Sequence, residues 1–315
     1  MMPKRSFQFA TRGGLHPLRS MDVTASVAAA LMGIHERETE FGLWAKKTGK
    51  IIADAADNEA MERGRLLEPV AAELLRRDRP YWSILYPVGL YYREPDSRLG
   101  ASPDLFAIDA ERAGFGNIQV KSVEPSIFRR DWRQPDGSIE PPLWIAVQGI
   151  VESFLSGASW CAIAALVIGY GVEIHIVDIP LEADEAAIMD GLRRRSLVFW
   201  RRVAENDPPP VDYGRDGDMI HVVYAQGDDG FMLDLRDNAR VPEIIVARSA
   251  LRAREADGRA AEIERRKLDA ELIHILGDAA FGRLRDGGLL RARTIRGAGG
   301  RTYRQIRVLT RGAHA

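Results

Sequence analysis

Cysteine is nearly absent: Cys161 stands alone among 315 residues. No disulfide can form within the chain, and no multi-cysteine metal cluster can be built. Cys161 lies in the apolar run SWCAIAALVI and is expected as a small core residue. Long apolar runs are also lacking, since none approaches the roughly 20 residues of a membrane helix. The opening MMPKRSFQFATRGG has no apolar stretch with a small-residue cleavage site, so no export signal is read there. A reduced, cytoplasmic protein with no membrane partner is the expectation. Net charge is scarce as well, at −1 from 44 Lys and Arg against 45 Asp and Glu.

That balance conceals an asymmetry. Residues 205–243 carry ten Asp and Glu against three Arg, whereas residues 284–315 carry eight Arg against one Asp. A basic end on a neutral chain is the electrostatic footprint of a phosphate-backbone partner, or else a solvated arginine-rich hairpin. Apolar content of 46% and charged content of 28% are those of a globular protein. The length allows one large domain with appendages, or two domains.

The local signals predict an α/β (α+β) chain. TASVAAALMG (24–33) reads as a helix capped by Thr24 and closed by Gly33, and TEFGLWAKKTG (39–49) repeats the pattern from Thr39 to Gly49. Residues 58–78 read as an amphipathic helix that Pro69 should kink or break. Strands are expected over 83–92, 102–109 and 117–123, the last two as a hairpin. A helix over 141–157, strands over 158–168 and 172–180, and a helix from Glu182 to Asn206 follow, ended by three prolines at 208–210. Beyond them lie short strand-like pieces MIHVVYA and FMLDL, a charged helical stretch over 242–277, and an arginine-rich hairpin around Gly297, Ala298, Gly299 and Gly300. The boundaries are an N-terminal arm 1–19, a core 20–210 and a C-terminal extension 211–315.

Within the core, GASPDLFA and QVKSV place Asp104 and Lys121 on adjacent strands, at one edge of an antiparallel pair. Alternation sets Gln119 on the same face as Lys121. Phosphodiester hydrolysis needs a divalent cation, a few side-chain oxygens to hold it, and a cation that steadies charge on the phosphate. Glu68, in the apolar context GRLLEPVA, offers a third oxygen and would be costly there unless paired. Gln148 in WIAVQGIV needs a partner if buried. Glu152, one turn beyond Gln148, either supplies a carboxylate or sits on the exposed helix face, the latter being the commoner place for glutamate. Phe128 and Trp132 in IFRRDW either stack on bases or pack in the core.

Together GRLLEPVAAELL, GASPDLFA, QVKSV and AVQGIVESFLSG, in this order, resemble the lambda-exonuclease and YqaJ-type viral recombinase family of the PD-(D/E)xK nuclease superfamily. The resemblance covers about residues 20–310. It implies a restriction-endonuclease-like mixed sheet core flanked by helices, with a helical and β-hairpin extension. It further implies a metal-dependent exonuclease that resects duplex DNA from 5′ ends in a bacterial or phage-infected cell, using one or two Mg2+ or Mn2+ ions. By the same resemblance Glu68, Asp104 and Gln119 correspond to metal ligands, and Lys121 to the catalytic lysine. Gln148 corresponds to a glutamine that positions the strand or water. Ser26 and Arg19 correspond to a pocket for the DNA 5′-phosphate. Partners implied are double-stranded DNA ends, a single-strand annealing protein and a homo-oligomeric ring. Gln119 departs from the usual glutamate: its amide oxygen can still ligate a hard cation but brings no negative charge. An endonuclease of the same superfamily, or a DNA-binding protein that lost catalysis with that acid, are the competing readings.

Overall fold

The structure, a computed structural model, describes residues 6–9, 12–51, 59–87, 89–254, 258–296 and 302–309. The chain divides into two compact units, Met1–Lys47 with Ile52–Pro209, and Thr48–Ile51 with Pro210–Ala315.

The first unit opens with β1 (Ser6–Phe9), α1 (Arg12–Met21), β2 (Val23–Thr24) and α2 (Ala25–Ala28), which tightens into a 3₁₀ turn over Ala29–Met32. Gly33 ends that turn at φ 71°, a left-handed conformation that favours glycine. Thr24 occupies the N-cap position but gives no side-chain cap; its Oγ1 lies 3.0 Å from Ser26 Oγ. Next come α3 (Glu40–Lys47) and α4 (Glu59–Asp78). Thr39 Oγ1 accepts from the Gly42 N–H at 2.9 Å, as a cap residue should. Helix α4 runs through Pro69 as a single element rather than breaking into two.

The expected strand over 83–92 is two strands, β3 (Trp82–Leu85) and β4 (Leu90–Glu94), which join different sheets. Pro87 interrupts the apolar pattern between them, and a proline has no N–H for a ladder. The strand expected over 102–109 begins only after Pro103, as β6 (Leu105–Asp109), and a short β5 (Leu99–Ala101) that was not expected precedes it. Then follow β7 (Gly116–Val123), α5 (Pro125–Asp131), α6 (Leu143–Ser156), β8 (Trp160–Ile168), β9 (Val172–Ile179) and α7 (Ala183–Glu205). Helix α5 was not expected from the sequence; Pro125 at its first turn is the signal that reading lacked.

The main sheet has the order β3-β6-β7-β8-β9, antiparallel except for the parallel β7–β8 pair. Helix α4 covers one face through Ala72 and Leu75, packed on Leu105, Ile118 and Ala162. Helices α5 and α6 cover the other, where Phe128, Trp132 and Ile145 meet Ile163, Ala165 and Val167. Cys161 is buried in β8, as its apolar run suggested. A smaller sheet, β1-β4-β5-β2, holds the end of α1. There buried Asp22 accepts from Arg93 at 2.6 Å and from the Tyr91 hydroxyl at 3.1 Å. Lys47 donates to the carbonyls of Arg19, Ser20 and Asp22, so a cation caps the helix end that bears Arg19.

The second unit contains α8 (Gly217–Val223), β10 (Asp228–Asp234), α9 (Arg240–Arg254), α10 (Arg259–Leu276), β11 (Ala279–Arg283), β12 (Leu289–Arg296) and β13 (Thr302–Leu309). MIHVVYA is therefore helical, not strand-like. Burying Ile220 in the packing of α8 on α10 overrides the β-propensity of its valines. The charged stretch over 242–277 is two helices. Strands β12 and β13 pair antiparallel from Leu289–Leu309 to Arg296–Thr302; the glycine tip expected between them lies outside the described residues. Among the described residues no helix is long and apolar enough to cross a membrane.

Candidate active site

Strand β7 places polar residues at every second position, Asn117, Gln119 and Lys121. Alternation sends all three toward α6, while Ile118 and Val120 turn to the α4 side. Asp104 immediately precedes β6, whose first residue Leu105 pairs with Ile118, so the register brings Asp104 beside Gln119. Asp104 Oδ2 accepts from Gln119 Nε2 at 2.5 Å and from the Val120 N–H at 2.9 Å. Its Oδ1 accepts no hydrogen bond among the described residues.

The other half of the site comes from α6, which lies close on β8. A Cβ at Gly149 would come within 2.9 Å of Cys161 Sγ and Ile163 Cδ1, so a side chain there would push the helix off the sheet. This close seating turns Gln148 and Glu152, one helical turn apart, into the β7 face. Gln148 Oε1 accepts from Lys121 Nζ at 2.7 Å, and its Nε2 donates to Gln119 Oε1 at 3.0 Å and Glu152 Oε1 at 2.8 Å. Asn117 Nδ2 reaches Glu152 Oε2 at 3.3 Å. Six side chains thus form one connected network, with Gln148 at its centre. The Trp144 ring lies 5.6 Å from Lys121 Nζ and backs the ammonium.

Burial sets the electrostatics. It pushes the Asp104 carboxyl up, against the lowering pull of Lys121, the Val120 N–H and Arg19. It pulls the Lys121 ammonium down, against Asp104 and Glu152, with Arg37 adding to the depression. Burial, and then the charge of Asp104, push Glu152 up to about 8. Asn117 Oδ1 is buried without a donor, while its Nδ2 also donates to the Gly149 carbonyl at 3.3 Å.

Asp104, Gln119, Lys121 and Gln148 are thus brought together. Glu152 joins them at 1% exposure, which corrects the expectation of an exposed glutamate. The reason is that α6 is enclosed by β7, β8 and α2, which leaves no solvent face at that turn. Glu68 stands half-buried on α4, and with Asp104 it acts on a common neighbour: after burial, both charges raise the Tyr86 hydroxyl. Arg19 is exposed, and its charge is felt at Asp104. Ser26 lies in the four-residue α2 and not at the start of the first helix, because α1 precedes it. Its carbonyl lies 3.0 Å from His35 Nε2. Phe128 and Trp132 are core residues, 4% and 1% exposed, and Phe128 stacks on His175. Sequence reasoning missed Asn117, Trp144, Tyr86 and Arg37.

A divalent cation fits this donor set through Asp104. When all groups ionise, two buried carboxylates face one ammonium, leaving excess negative charge that a cation would offset. Asp104 Oδ1 is the oxygen left open to it. Among the described residues no three His, Cys, Asp or Glu side chains gather as a ready-made metal cluster. The Gln119 amide oxygen is held by Gln148 and would have to exchange that bond to ligate.

Residues 15–149 match the YqaJ-like viral recombinase domain. No curated protein matches the sequence. Among solved structures, the alkaline exonuclease LHK-Exo of Laribacter hongkongensis is similar at 19% identity and a TM-score of 0.47, covering 61% of this chain and 92% of that one. The same enzyme in complex with dAMP aligns at 17% identity and 0.44, covering 60% and 92%. SSO0001 aligns at 12% and 0.33, covering 56% and 76%. The assignment rests on the matched domain, which spans every candidate position from Arg19 to Gln148. Over residues 15–149 the chain is therefore identified with the YqaJ-like viral recombinase domain.

Proposed function

We propose that the chain is a metal-dependent deoxyribonuclease that resects duplex DNA from 5′ ends and leaves 3′ single strands. The observation that carries this reading is the pairing of a Lys121 ammonium, locked by Gln148, with an Asp104 carboxylate that keeps one oxygen open. Asp104, with Glu68 nearby and Gln119 after amide exchange, would hold Mg2+ or Mn2+. When bound, that ion supplies an acidified water and polarises the phosphate. Lys121 offsets the charge that builds on the phosphate oxygens as water adds and the 3′ oxygen leaves. Gln148 positions Lys121, and Asn117 with Glu152 holds Gln148 from behind. An annealing protein and a subunit ring are proposed partners on the family resemblance.

Arg19, fixed at the end of α1 and within electrostatic reach of Asp104, is proposed to receive the terminal phosphate, with Ser26 assisting. The test is linear duplex labelled at either end beside closed circular duplex, with magnesium or manganese. Release of label from 5′ ends with the circle intact is expected. Nicking of the circle would instead make the enzyme an endonuclease. Duplex bearing a 5′-phosphate should be degraded about tenfold faster than 5′-hydroxyl duplex, reflecting one charge-assisted contact. Arg19→Ala should shrink that ratio, and equal parental rates would remove Arg19 from the account.

A further inference from the structure

The four-stranded sheet of the second unit, ordered β10-β11-β12-β13, has two unlike faces. Leu290, Ala292 and Ile306 turn inward with Gly282, where an added Cβ would meet Leu235 and Leu276. By alternation and register the opposite face carries Phe281, Arg283, Arg291, Arg293, Tyr303 and Arg307. The four arginines are exposed, and Tyr303 is 43% exposed. Arg291 lies over the Phe281 ring at 5.5 Å.

Two features make this face more than a solvated surface. Arg291 and Arg307 are direct cross-strand partners, an arrangement in which like charges destabilise a sheet. None of the four arginines forms an ion pair among the described residues. The helices of the same unit do the reverse: Arg240 pairs with Glu271 at 2.7 Å, Arg266 with Glu262 at 2.8 Å and Lys267 with Glu264 at 2.8 Å. Asp234, which the β10–β11 register sets beside Arg283, is engaged by Arg236, whose hydrogen bonds hold its carboxyl down to about 2. Acid in this unit is therefore paired along the helices, and the face arginines of β12 and β13 have no acid opposite them in register. Unpaired guanidinium groups spaced along two strands, with aromatic rings between them, match a polyanion whose bases are free to stack.

We infer that this sheet face binds single-stranded DNA, the arginines meeting phosphates and Phe281 and Tyr303 stacking on bases. The inference extends the nuclease reading, whose product strand would be the ligand. Its test runs in chelator without cleavage, so its failure is distinguishable from failure of the Asp104 site.

The measurement is fluorescence anisotropy of the full chain with a labelled single strand longer than the roughly 4–16 nucleotides such a surface engages. Blunt duplex of equal length is titrated beside it. The parental chain should bind the single strand more tightly than the duplex. The double variant Arg291→Ala, Arg307→Ala should weaken single-strand binding about tenfold and lower its salt slope by about 1.4, from two lost phosphate contacts. Phe281→Ala should weaken it at least about fivefold with the slope unchanged. Folded variants that bind the single strand like the parent would overturn the inference. Photo-crosslinking of the parental chain to an iodouracil-bearing strand gives a reading that needs no variant. Crosslinks to peptides with Phe281 or Tyr303 are expected, and crosslinks confined to other peptides would overturn it.

Discussion

Asp104→Ala and Lys121→Ala are each expected to lower cleavage by about a thousandfold or more while leaving duplex affinity within a few-fold of the parent. On the proposed mechanism the reaction loses its principal cation ligand in the first variant and its charge-stabilising ammonium in the second, and each kind of loss costs about 10²–10⁴ in rate. DNA affinity rests on backbone contacts spread over a wider surface, so one missing side chain changes it little. Asp104→Ala also leaves the Val120 N–H without its acceptor, at about 1–3 kcal/mol for an unpaired buried donor, while Gln119 Nε2 keeps the Val120 carbonyl. Asp104→Asn keeps an acceptor there and separates chemistry from folding. Both variants should melt as single folded species by circular dichroism. Cleavage at the parental rate in either would remove that residue from the chemistry.

Gln119→Glu carries the next largest effect. Its amide nitrogen now donates to Asp104 at 2.5 Å and its oxygen accepts from Gln148 at 3.0 Å. A carboxylate at 119 would face Asp104 with Glu152 behind it, putting three acids around one ammonium. Without a cation this repulsion should lower the melting temperature. With one, the added negative charge should reduce the magnesium needed for half-maximal cleavage by about tenfold, equivalent to about 1.4 kcal/mol. A magnesium titration of both proteins reads the effect. Loss of activity with no gain in metal affinity would show that the amide itself is needed to hold Asp104.

Much of the site was legible because strand alternation and sheet register are local rules. Asp104 before one strand and Gln119 and Lys121 within the next could meet only at one sheet edge, and they do. The same rule applied one step earlier would have found Asn117, since Asn117, Gln119 and Lys121 are spaced by two. Glu152 was not legible. Its depth depends on how closely α6 approaches β8, which Gly149 permits, and nothing in the helix pattern announces that distance. Trp144, one turn before Gln148, shares its face by helical spacing, whereas Tyr86 comes near by tertiary packing. In the fold, Pro87 was present as a warning that one long strand signal would divide, and Pro103 that another would start late. MIHVVYA misled because β-branched residues favour strands until a helix face offers them deeper burial.

The central claim is that Asp104 anchors a cation on which hydrolysis depends. Protein stripped with chelator should leave linear duplex intact and recover cleavage when Mg2+ or Mn2+ is restored. Electron paramagnetic resonance, counting Mn2+ held by the protein on a non-cleavable phosphorothioate duplex, should find at least one ion in the parent. It should find fewer in Asp104→Ala. Cleavage undiminished in chelator, or the same number of ions bound without Asp104, would contradict the account.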